Sequence, residues 1–170
     1  MINQNILITI LTVADTPLFV TTFAADEARF AKDLPHYLAE SDCGFRVVFG
    51  AWLNNVPAGI ATLKWESEYA PFRYQKLAEL VDLWVQPQYR KLGVGRTLCK
   101  FAATEAKAKD FKGLGLGVQL SAEYGPAQRF YAKNGWLPNG MGIVAHGKKT
   151  AENDSIILDA QTVQMWVKIF

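Results

Sequence analysis

The stretch that decides the fold is VQPQYRKLGVGRTL, at residues 85–98. An apolar strand ends there, a turn with two glycines follows, and a helix begins at once. The first backbone N–H groups of a helix have no partner within it, and the helix dipole adds partial positive charge at that end. Gly93 and Gly95 have no Cβ, so an anion can approach the backbone closely. The stretch therefore predicts a pyrophosphate-binding turn, with full positive charges on Arg90, Lys91 and Arg96.

Two other phosphate-binding motifs can be compared with this turn. A P-loop requires GxxxxGK[ST], which the sequence lacks. A dinucleotide-binding fingerprint requires GxGxxG, and residues 93–98 lack the third glycine. Residues 113–117 are also rich in glycine but lead into a strand, which favours a turn and close packing. Taken alone, the turn at 85–98 leaves a second interpretation open, a tight helix entry that binds nothing.

The elements around the turn alternate between strands and helices. The helix between strands 78–85 and 114–120 makes these two strands parallel, with a right-handed crossover. The turn at 54–57 predicts an antiparallel hairpin, and the late strands are also expected to be antiparallel. Pro35 lies inside a helical pattern, so we expect a break or kink there. The pattern predicts strands over 6–13, 46–53, 58–65, 78–85, 114–120, 141–144 and 164–169, and helices that begin at 15–17 or span 24–39, 92 or 93 to 109, and 126–134.

These elements predict one domain over residues 1–170, of the mixed α/β class. Its sheet would be mostly antiparallel with a parallel central pair, and helices would cover both faces. The chain has 18 Lys and Arg against 16 Asp and Glu, a net charge of +2. This balance does not support a protein that coats nucleic acid, and we expect no nucleic-acid partner. Because His36 and His146 are isolated from other ligands, we also expect no metal site.

The apolar residues at 6–20 resemble a signal peptide at first sight. The first basic residue is Arg29, so no positive segment precedes them, and Asp15 and Pro17 interrupt them. No stretch reaches the roughly 20 apolar residues that a membrane span needs. We therefore expect a cytoplasmic protein without a membrane partner. Cys43 and Cys99 form no CxxC pair and are expected to be reduced.

Two motifs in register resemble the GNAT acetyltransferase superfamily. Residues 90–95, RKLGVG, match its R/Q-x-x-G-x-G/A motif, and the preceding residues 79–90 resemble its fourth strand with a V-x-P-x-Y-R exit. Residues 127–136, AQRFYAKNGW, resemble its A-x-x-x-Y-x-x-x-G-F/W signature at the usual separation. The resemblance covers residues 78–136. It implies the GNAT-like acyl-CoA N-acyltransferase fold, in which the parallel pair splays apart.

The resemblance implies acetyl-CoA as cosubstrate, with its pyrophosphate on the turn and its pantetheine between the splayed strands. The amide of Val85 would polarise the thioester carbonyl, and Leu83 and Trp84 would line the acetyl end. The family often has Asn where this chain has Tyr124, and that Asn bonds pantetheine or the following helix. In this chain the contact would have to be rebuilt by Tyr124 or moved to Ser121 or Glu123. The remaining cofactor-binding residues would be Arg90, Lys91, Leu92, Gly93, Val94, Gly95, Arg96 and Thr97, the last six through backbone amides.

The resemblance also implies direct attack by a primary amine, which is protonated at neutral pH. Deprotonating an amine of pKa about 10.4 at pH 7 costs roughly 4–5 kcal/mol, so a carboxylate base is expected. Glu79 is the first candidate, because it stands six residues before Val85, where some family members place this base, and Asp82, three residues on, is the second. Alternation along the strand does not choose between them, because the family has a bulge there. Tyr131 occupies the position of the general acid that protonates the thiolate. The alternatives are carboxylates that pair with nearby cations, Arg73 or Lys76, and a tyrosine that only packs.

The acceptor is a small-molecule or peptide amine, and the sequence does not choose between them. The acidic and aromatic segment at 66–72 lies on the acceptor side in family terms, and either receives a cationic amine or is a solvated loop. A homodimer is also left open. A non-catalytic acyl-CoA-binding or regulatory module on the same fold is the main alternative to an enzyme.

Overall fold

The computed structural model describes residues 5–23 and 27–170. The chain divides into two compact units. The first contains Met1–Glu66 and Leu80–Glu105, and the second contains Ser67–Glu79 and Ala106–Phe170. Strand β4, Leu77–Val85, contributes residues to both.

In the first unit, three strands pair in the antiparallel order β1-β2-β3. The predicted hairpin is confirmed: Asn54 and Asn55 have φ of +51° and +63°, the conformation of a two-residue type I′ turn. The elements of this unit are β1 (Ile6–Ile10), α1 (Thr16–Phe23), α2 (Arg29–Asp42), β2 (Arg46–Leu53), β3 (Val56–Lys64), the end of β4 and most of α4 (Val94–Ala108).

Helix α2 shows how the core of the first unit forms. Phe30, Leu34 and Leu38 recur every fourth residue, which puts them on one face of the helix, and each is at most 2% exposed. The expected break at Pro35 is wrong, because α2 is continuous through it. The buried side chains on both sides of Pro35 hold the helix against the loss of one backbone hydrogen bond. The predicted start of this helix at 24–26 lies outside the described residues.

The first predicted strand is also shorter than expected. It ends at Ile10, and a short 3-10 turn, Val13–Asp15, follows it. The carboxylate of Asp15 accepts the backbone N–H of Thr12 at 2.8 Å, so local capping competes with extension of the strand. The helix predicted to begin at 15–17 is α1, with Pro17 in its first turn.

In the second unit, the start of β4 pairs in parallel with β5, from Leu77 opposite Gly113 to Glu79 opposite Gly115. Strand β8 pairs antiparallel with β5 and β6, and β7 pairs antiparallel with β6. The elements are α3 (Ala70–Tyr74), the start of β4, the end of α4, β5 (Gly113–Gln119), α5 (Gly125–Lys133), β6 (Leu137–Ala145), β7 (Lys148–Lys149) and β8 (Thr162–Ile169).

The mixed α/β fold is thus confirmed, with a parallel pair formed by β4 and β5 and antiparallel pairing among the other strands described above. Two predictions need correction. The segment 66–72, for which no helix or strand was predicted, contains the start of α3 at Ala70, with Pro71 in its first turn. Strand β6 is longer than the predicted 141–144 because a bulge carries it past its glycines. None of the helices in the described part of the chain is long and apolar enough to cross a membrane.

Candidate functional site

The glycine turn predicted from the sequence connects β4 to α4. A 3-10 turn at Pro87–Tyr89 follows the strand, and Lys91 and Gly93 then have φ of +65° and +92°. Among the residues that the structure describes, a Cβ built on Gly93 would meet only Ile6 Cδ1, at 3.7 Å, an ordinary contact. The turn therefore needs glycine at residue 93 for its backbone conformation and not for lack of space.

Helix α4 begins directly after this glycine. Thr97 donates both its backbone N–H and its hydroxyl to the carbonyl of Gly93, at 3.0 and 3.1 Å. The amides of Val94 and Gly95, which lie between these two residues, precede the first helical hydrogen bond and so have no carbonyl of an earlier helical turn to bond. Val94 and Leu98 are buried and fix the helix end. The donors suited to an anion are thus the amides of Val94 and Gly95, whereas the amide predicted at Thr97 is already bonded within the helix.

The positive charges around the turn are on exposed side chains. Arg90 donates its Nε–H to the carbonyl of Val85 at 3.1 Å, and its guanidinium lies 5.1 Å from the centre of the Trp84 ring. This arginine is therefore tied to the end of β4. Lys91 and Arg96 are exposed beside the helix start, where positive charge adds to that of the helix dipole.

Gln86 is a residue of this site that sequence reasoning missed. Its side chain is 5% exposed and donates to the carbonyl of Pro57 at 2.7 Å, and its backbone N–H donates to the carbonyl of Ala58 at 3.0 Å. Gln86 thus fixes the end of β4 to the β2–β3 hairpin, directly after Val85. A polar residue that follows an apolar strand and precedes proline was the available signal.

Asp82 lies in a distortion of β4. Its φ of +54° is unusual for a residue within a strand and interrupts the alternation of side chains. Its side chain is 10% exposed, and Oδ1 lies 2.5 Å from Arg29 Nη1. Burial raises the pKa of Asp82, against the opposing effects of Arg29 and Arg46. The structure therefore gives this candidate base a buried environment and a fixed cation partner.

A second ion pair and an aromatic ring lie in the same unit near Asp82. Arg46 pairs with Glu40, and its guanidinium lies 4.3 Å from the centre of the Tyr37 ring. Burial raises the pKa of Tyr37, and the negative charge of Asp82 raises it further. Asp82 is therefore one member of a charged group that links α2 to β4.

Glu79 lies in the second unit, where β4 is still paired. It is half-buried, and its parallel partner is Gly115. Arg73, one of the cations considered as its partner, donates to the carbonyls of Ser67 and Glu68 at 2.6 and 2.8 Å. The other, Lys76, pairs with Asp110 at 2.9 Å.

Tyr131 lies in α5, also in the second unit. The residue is 9% exposed, and its ring packs edge-on against Trp136, with 5.7 Å between the ring centres. Helix α5 is held to β5 by Gln128, which donates to the carbonyl of Gln119 at 3.0 Å. Gly135 ends the helix with φ of +80°, as the sequence predicted.

Tyr124, the residue that departs from the family pattern, is the N-cap of α5 and is 37% exposed. Its neighbour Glu123 has a lowered pKa, chiefly because the Ser121 side chain hydrogen-bonds to it. Ser121 and Glu123 are therefore bound to each other in the turn before the helix.

The chain was compared with known families and proteins after its geometry was described. Residues 13–136 match the model of the acetyltransferase (GNAT) family. A putative [ribosomal protein bS18]-alanine N-acetyltransferase of Bacillus subtilis is 36% identical over 64 residues. That match spans 38% of this chain and 41% of the relative's length.

Solved structures show the same fold over nearly the whole chain. The PaiA N-acetyltransferase of Thermoplasma acidophilum, crystallised with coenzyme A, aligns with a TM-score of 0.67 at 19% identity, covering 98% of this chain and 99% of its own. A putative GNAT acetyltransferase of Desulfovibrio desulfuricans reaches a TM-score of 0.74 at 13% identity, over 97% of this chain and 99% of its own. A putative streptothricin acetyltransferase of Bacillus anthracis, crystallised with acetyl-CoA, is 26% identical with a TM-score of 0.56. That alignment covers 74% of this chain and 62% of the Bacillus chain.

Proposed function

Because the chain belongs to the GNAT acetyltransferase family, we propose that it transfers the acetyl group of acetyl-CoA to a primary amine by direct attack. The observation that carries this proposal is the turn between β4 and α4. Gly93 at φ +92° leads into a helix whose first amides precede any intrahelical partner, beside exposed Lys91 and Arg96. This is the geometry that binds a pyrophosphate.

The end of β4 fits the acyl part of the same cosubstrate, which when bound supplies a thioester carbonyl open to attack. In our proposal the N–H of Val85 donates to that carbonyl, a contact that strengthens as negative charge develops on the oxygen. Arg90 bonds the carbonyl of Val85, and Gln86 bonds the hairpin. These bonds fix the donor in direction before the reaction, and Leu83 and Trp84 line the acetyl group.

Glu79 is our first choice as the base that accepts the ammonium proton. It is half-buried and stands in β4 six residues before Val85, whose N–H we propose as the donor to the thioester carbonyl. Asp82 is the second choice, because its carboxylate already binds Arg29 and an incoming ammonium would compete with this guanidinium. Tyr131 is proposed to give its proton to the departing thiolate, since its ring is held by Trp136.

For the acceptor, we propose a peptide that begins with a free α-amino group. The Bacillus relative is named for alanine of a ribosomal protein, and this match motivates the choice. The physical chemistry is also favourable. An α-amino group has a pKa near 7.7–8.0, so its deprotonation at pH 7 costs only about 1 kcal/mol, against roughly 4–5 kcal/mol for a lysine side chain.

The test combines a binding and a turnover measurement. Calorimetry measures the affinity for coenzyme A, which tests the proposed pyrophosphate-binding turn. Release of free thiol from acetyl-CoA measures transfer of the acetyl group. The acceptors are an alanine-initiated hexapeptide, its N-acetylated form as control, N-acetyl-lysine amide, spermidine and free alanine. Thiol release only with the free hexapeptide supports the whole proposal. Thiol release with another amine means that this amine, and not a peptide N-terminus, is the class of acceptor. Coenzyme A binding without thiol release in the presence of any amine favours the non-catalytic module.

A further inference from the structure

The segment that begins the second unit is fixed at several points. Ser67 is 1% exposed, and its hydroxyl accepts the backbone N–H of Tyr69 at 3.0 Å. Arg73 then bonds the carbonyls of Ser67 and Glu68. Of the two interpretations that the sequence left open here, a solvated loop does not describe residues 67–73. The segment is a fixed support for its side chains.

This support lies on the same face of the sheet as Glu79. Phe72 is fully buried against Gly115, since a Cβ on that glycine would lie 2.4 Å from the Phe72 ring. Gly115 is the parallel partner of Glu79, and paired residues of adjacent strands point to the same face. Leu77, two residues before Glu79, packs in one cluster with Phe72, as this direction requires. Glu79 therefore points to the face that Phe72 covers.

Tyr69 extends this covered area. Its ring packs edge-on against Phe72, with 4.9 Å between the ring centres, and is itself half-buried. Its hydroxyl oxygen accepts a hydrogen bond from Asn139 Nδ2 at 3.0 Å, across 70 positions of sequence. The oxygen of the Asn139 amide accepts the backbone N–H of Met141, also at 3.0 Å. This second bond fixes which end of the amide faces Tyr69.

A bulge in β6 holds Asn139 in this position. The register between β6 and β8 breaks between Pro138 and Ile143, so the residues between them leave the ladder. Gly140 and Gly142 have φ of +76° and +80°, and no atom of residues 5–23 or 27–170 lies within 4 Å of a Cβ built on either. Bulges next to active sites commonly redirect a side chain, and this one directs Asn139 to a tyrosine that lies beside Phe72.

We propose that Tyr69 is a specificity-determining residue, which donates its hydroxyl hydrogen to a carbonyl oxygen of the acceptor next to the reacting amine. This inference rests on the proposed function and names the acceptor's chemistry more closely. Because Asn139 donates to the Tyr69 oxygen, the phenol's own hydrogen remains to be donated, and its partner must be a hydrogen-bond acceptor. A peptide N-terminus has such a carbonyl one residue from its amine, whereas a simple alkylamine has none.

The experiment uses two peptides and three variants. The peptides are an alanine-initiated hexapeptide and the same peptide with its first carbonyl reduced to methylene. Tyr69→Phe removes the hydroxyl and keeps the ring against Phe72. Asn139→Asp keeps the shape but substitutes a carboxylate, which accepts the phenol's hydrogen and withdraws it from the substrate. Tyr74→Phe is the matched control, since Tyr74 ends the helix α3 that Tyr69 precedes as N-cap, and it is 87% exposed.

With the intact hexapeptide, we expect Tyr69→Phe and Asn139→Asp to raise KM about 5- to 10-fold, the loss of one hydrogen bond between uncharged groups. The kcat and the affinity for coenzyme A should not change, and Tyr74→Phe should behave as wild type. With the reduced peptide, all four proteins should have the same KM. This convergence is the result that a merely structural role of Tyr69 would not give.

Two results overturn the inference and are distinct from failure of the proposed function. If Tyr69→Phe raises KM equally for both peptides, the hydroxyl does not contact that carbonyl. If it leaves KM unchanged for the intact peptide, Tyr69 does not contact the acceptor at all. Wild-type protein that binds coenzyme A but releases no thiol with either peptide overturns the inference together with the proposed peptide acceptor.

Discussion

Replacement of Gly93 by alanine separates the cost of a backbone conformation from the loss of a ligand. At φ +92° the new Cβ meets, in the described part of the chain, only Ile6, at 3.7 Å, so no clash with these residues adds to the strain. A residue with a Cβ in a left-handed conformation costs roughly 1–2 kcal/mol. For a chain of this size each kcal/mol lowers Tm by about 2–4 °C. We therefore expect the variant to fold, with Tm lower by about 2–8 °C.

The same substitution should also weaken coenzyme A binding. The Cβ of residue 93 lies at the entrance to the helix amides, and relaxation of φ would turn these amides away from an anion. Loss of one charge-assisted hydrogen bond costs about 1.5–3 kcal/mol, which is about a 10- to 100-fold increase in Kd by calorimetry. Bulky residues at this position or at Gly95, such as Gly95→Val, should have a larger effect.

Gly44→Ala is the matched control for this prediction. Gly44 also has a left-handed φ, +81°, and no atom of the described residues lies within 4 Å of a built Cβ, but it lies in the turn after α2. It should lose similar stability and bind coenzyme A as wild type does. Wild-type affinity in Gly93→Ala, or an equal loss of affinity in Gly44→Ala, would refute the assignment of the turn as the pyrophosphate site.

The other predictions concern the proposed acid and bases and the packing beneath them. Tyr131→Phe keeps the ring and removes the proton, so turnover should fall by roughly 10²-fold or more with little loss of thermal stability; equal turnover would leave Tyr131 as a packing residue. Glu79→Gln should lose most of its activity at neutral pH and regain part of it as pH approaches the pKa of the acceptor amine. Asp82→Asn should lose less activity and should not recover it at high pH. The reverse pattern in the pH profiles of kcat/KM would make Asp82 the base. Burial raises the pKa of Asp82 above its ordinary value of 3.8, so ionisation of Asp82 opposes folding. The free energy of unfolding should therefore decline as pH rises from 3.8 through the higher pKa of the folded protein. Denaturation measured across this pH range should show no such decline in Asp82→Asn. Gly115→Ala places a methyl 2.4 Å from the Phe72 ring, which should cost about 1–3 kcal/mol of stability; an unchanged Tm would contradict the tight packing of Phe72.

Local patterns predicted the parts of the structure that local sequence determines. The turn at 85–98, the Asn54-Asn55 hairpin and the Gly135 helix end each depend on a few adjacent residues whose backbone preferences are strong. Helix α2 shows the limit of such rules. The local preference of Pro35 predicted a break, but the burial of Phe30, Leu34 and Leu38 outweighed it. Tertiary packing of one apolar face decided the helix, and a single proline did not.

The candidate bases show why alternation along a strand could not assign the site. Alternation would have placed residues 79 and 82 on opposite faces, but it holds only while φ stays extended, and Asp82 has a φ of +54°. The partner that occupies Asp82, Arg29, lies 53 positions earlier in the sequence. Neither the local conformation nor this distant ion pair leaves a periodic signal in the sequence around residue 82.

The pair formed by Tyr69 and Asn139 was hidden for a related reason. Both lie in stretches whose composition predicts loops: Tyr69 precedes a proline by two residues, and Asn139 lies between Pro138 and Gly140. The glycines that make residues 139–142 resemble a loop are the residues that allow β6 to bulge. A specificity-determining contact at such a bulge can change between relatives by small changes in the bulge while the core strands remain. Under our proposal, the acceptor is recognised by the geometry around Tyr69 and not by the motifs at 85–98 and 127–136, to which we assign the cosubstrate and the thiolate.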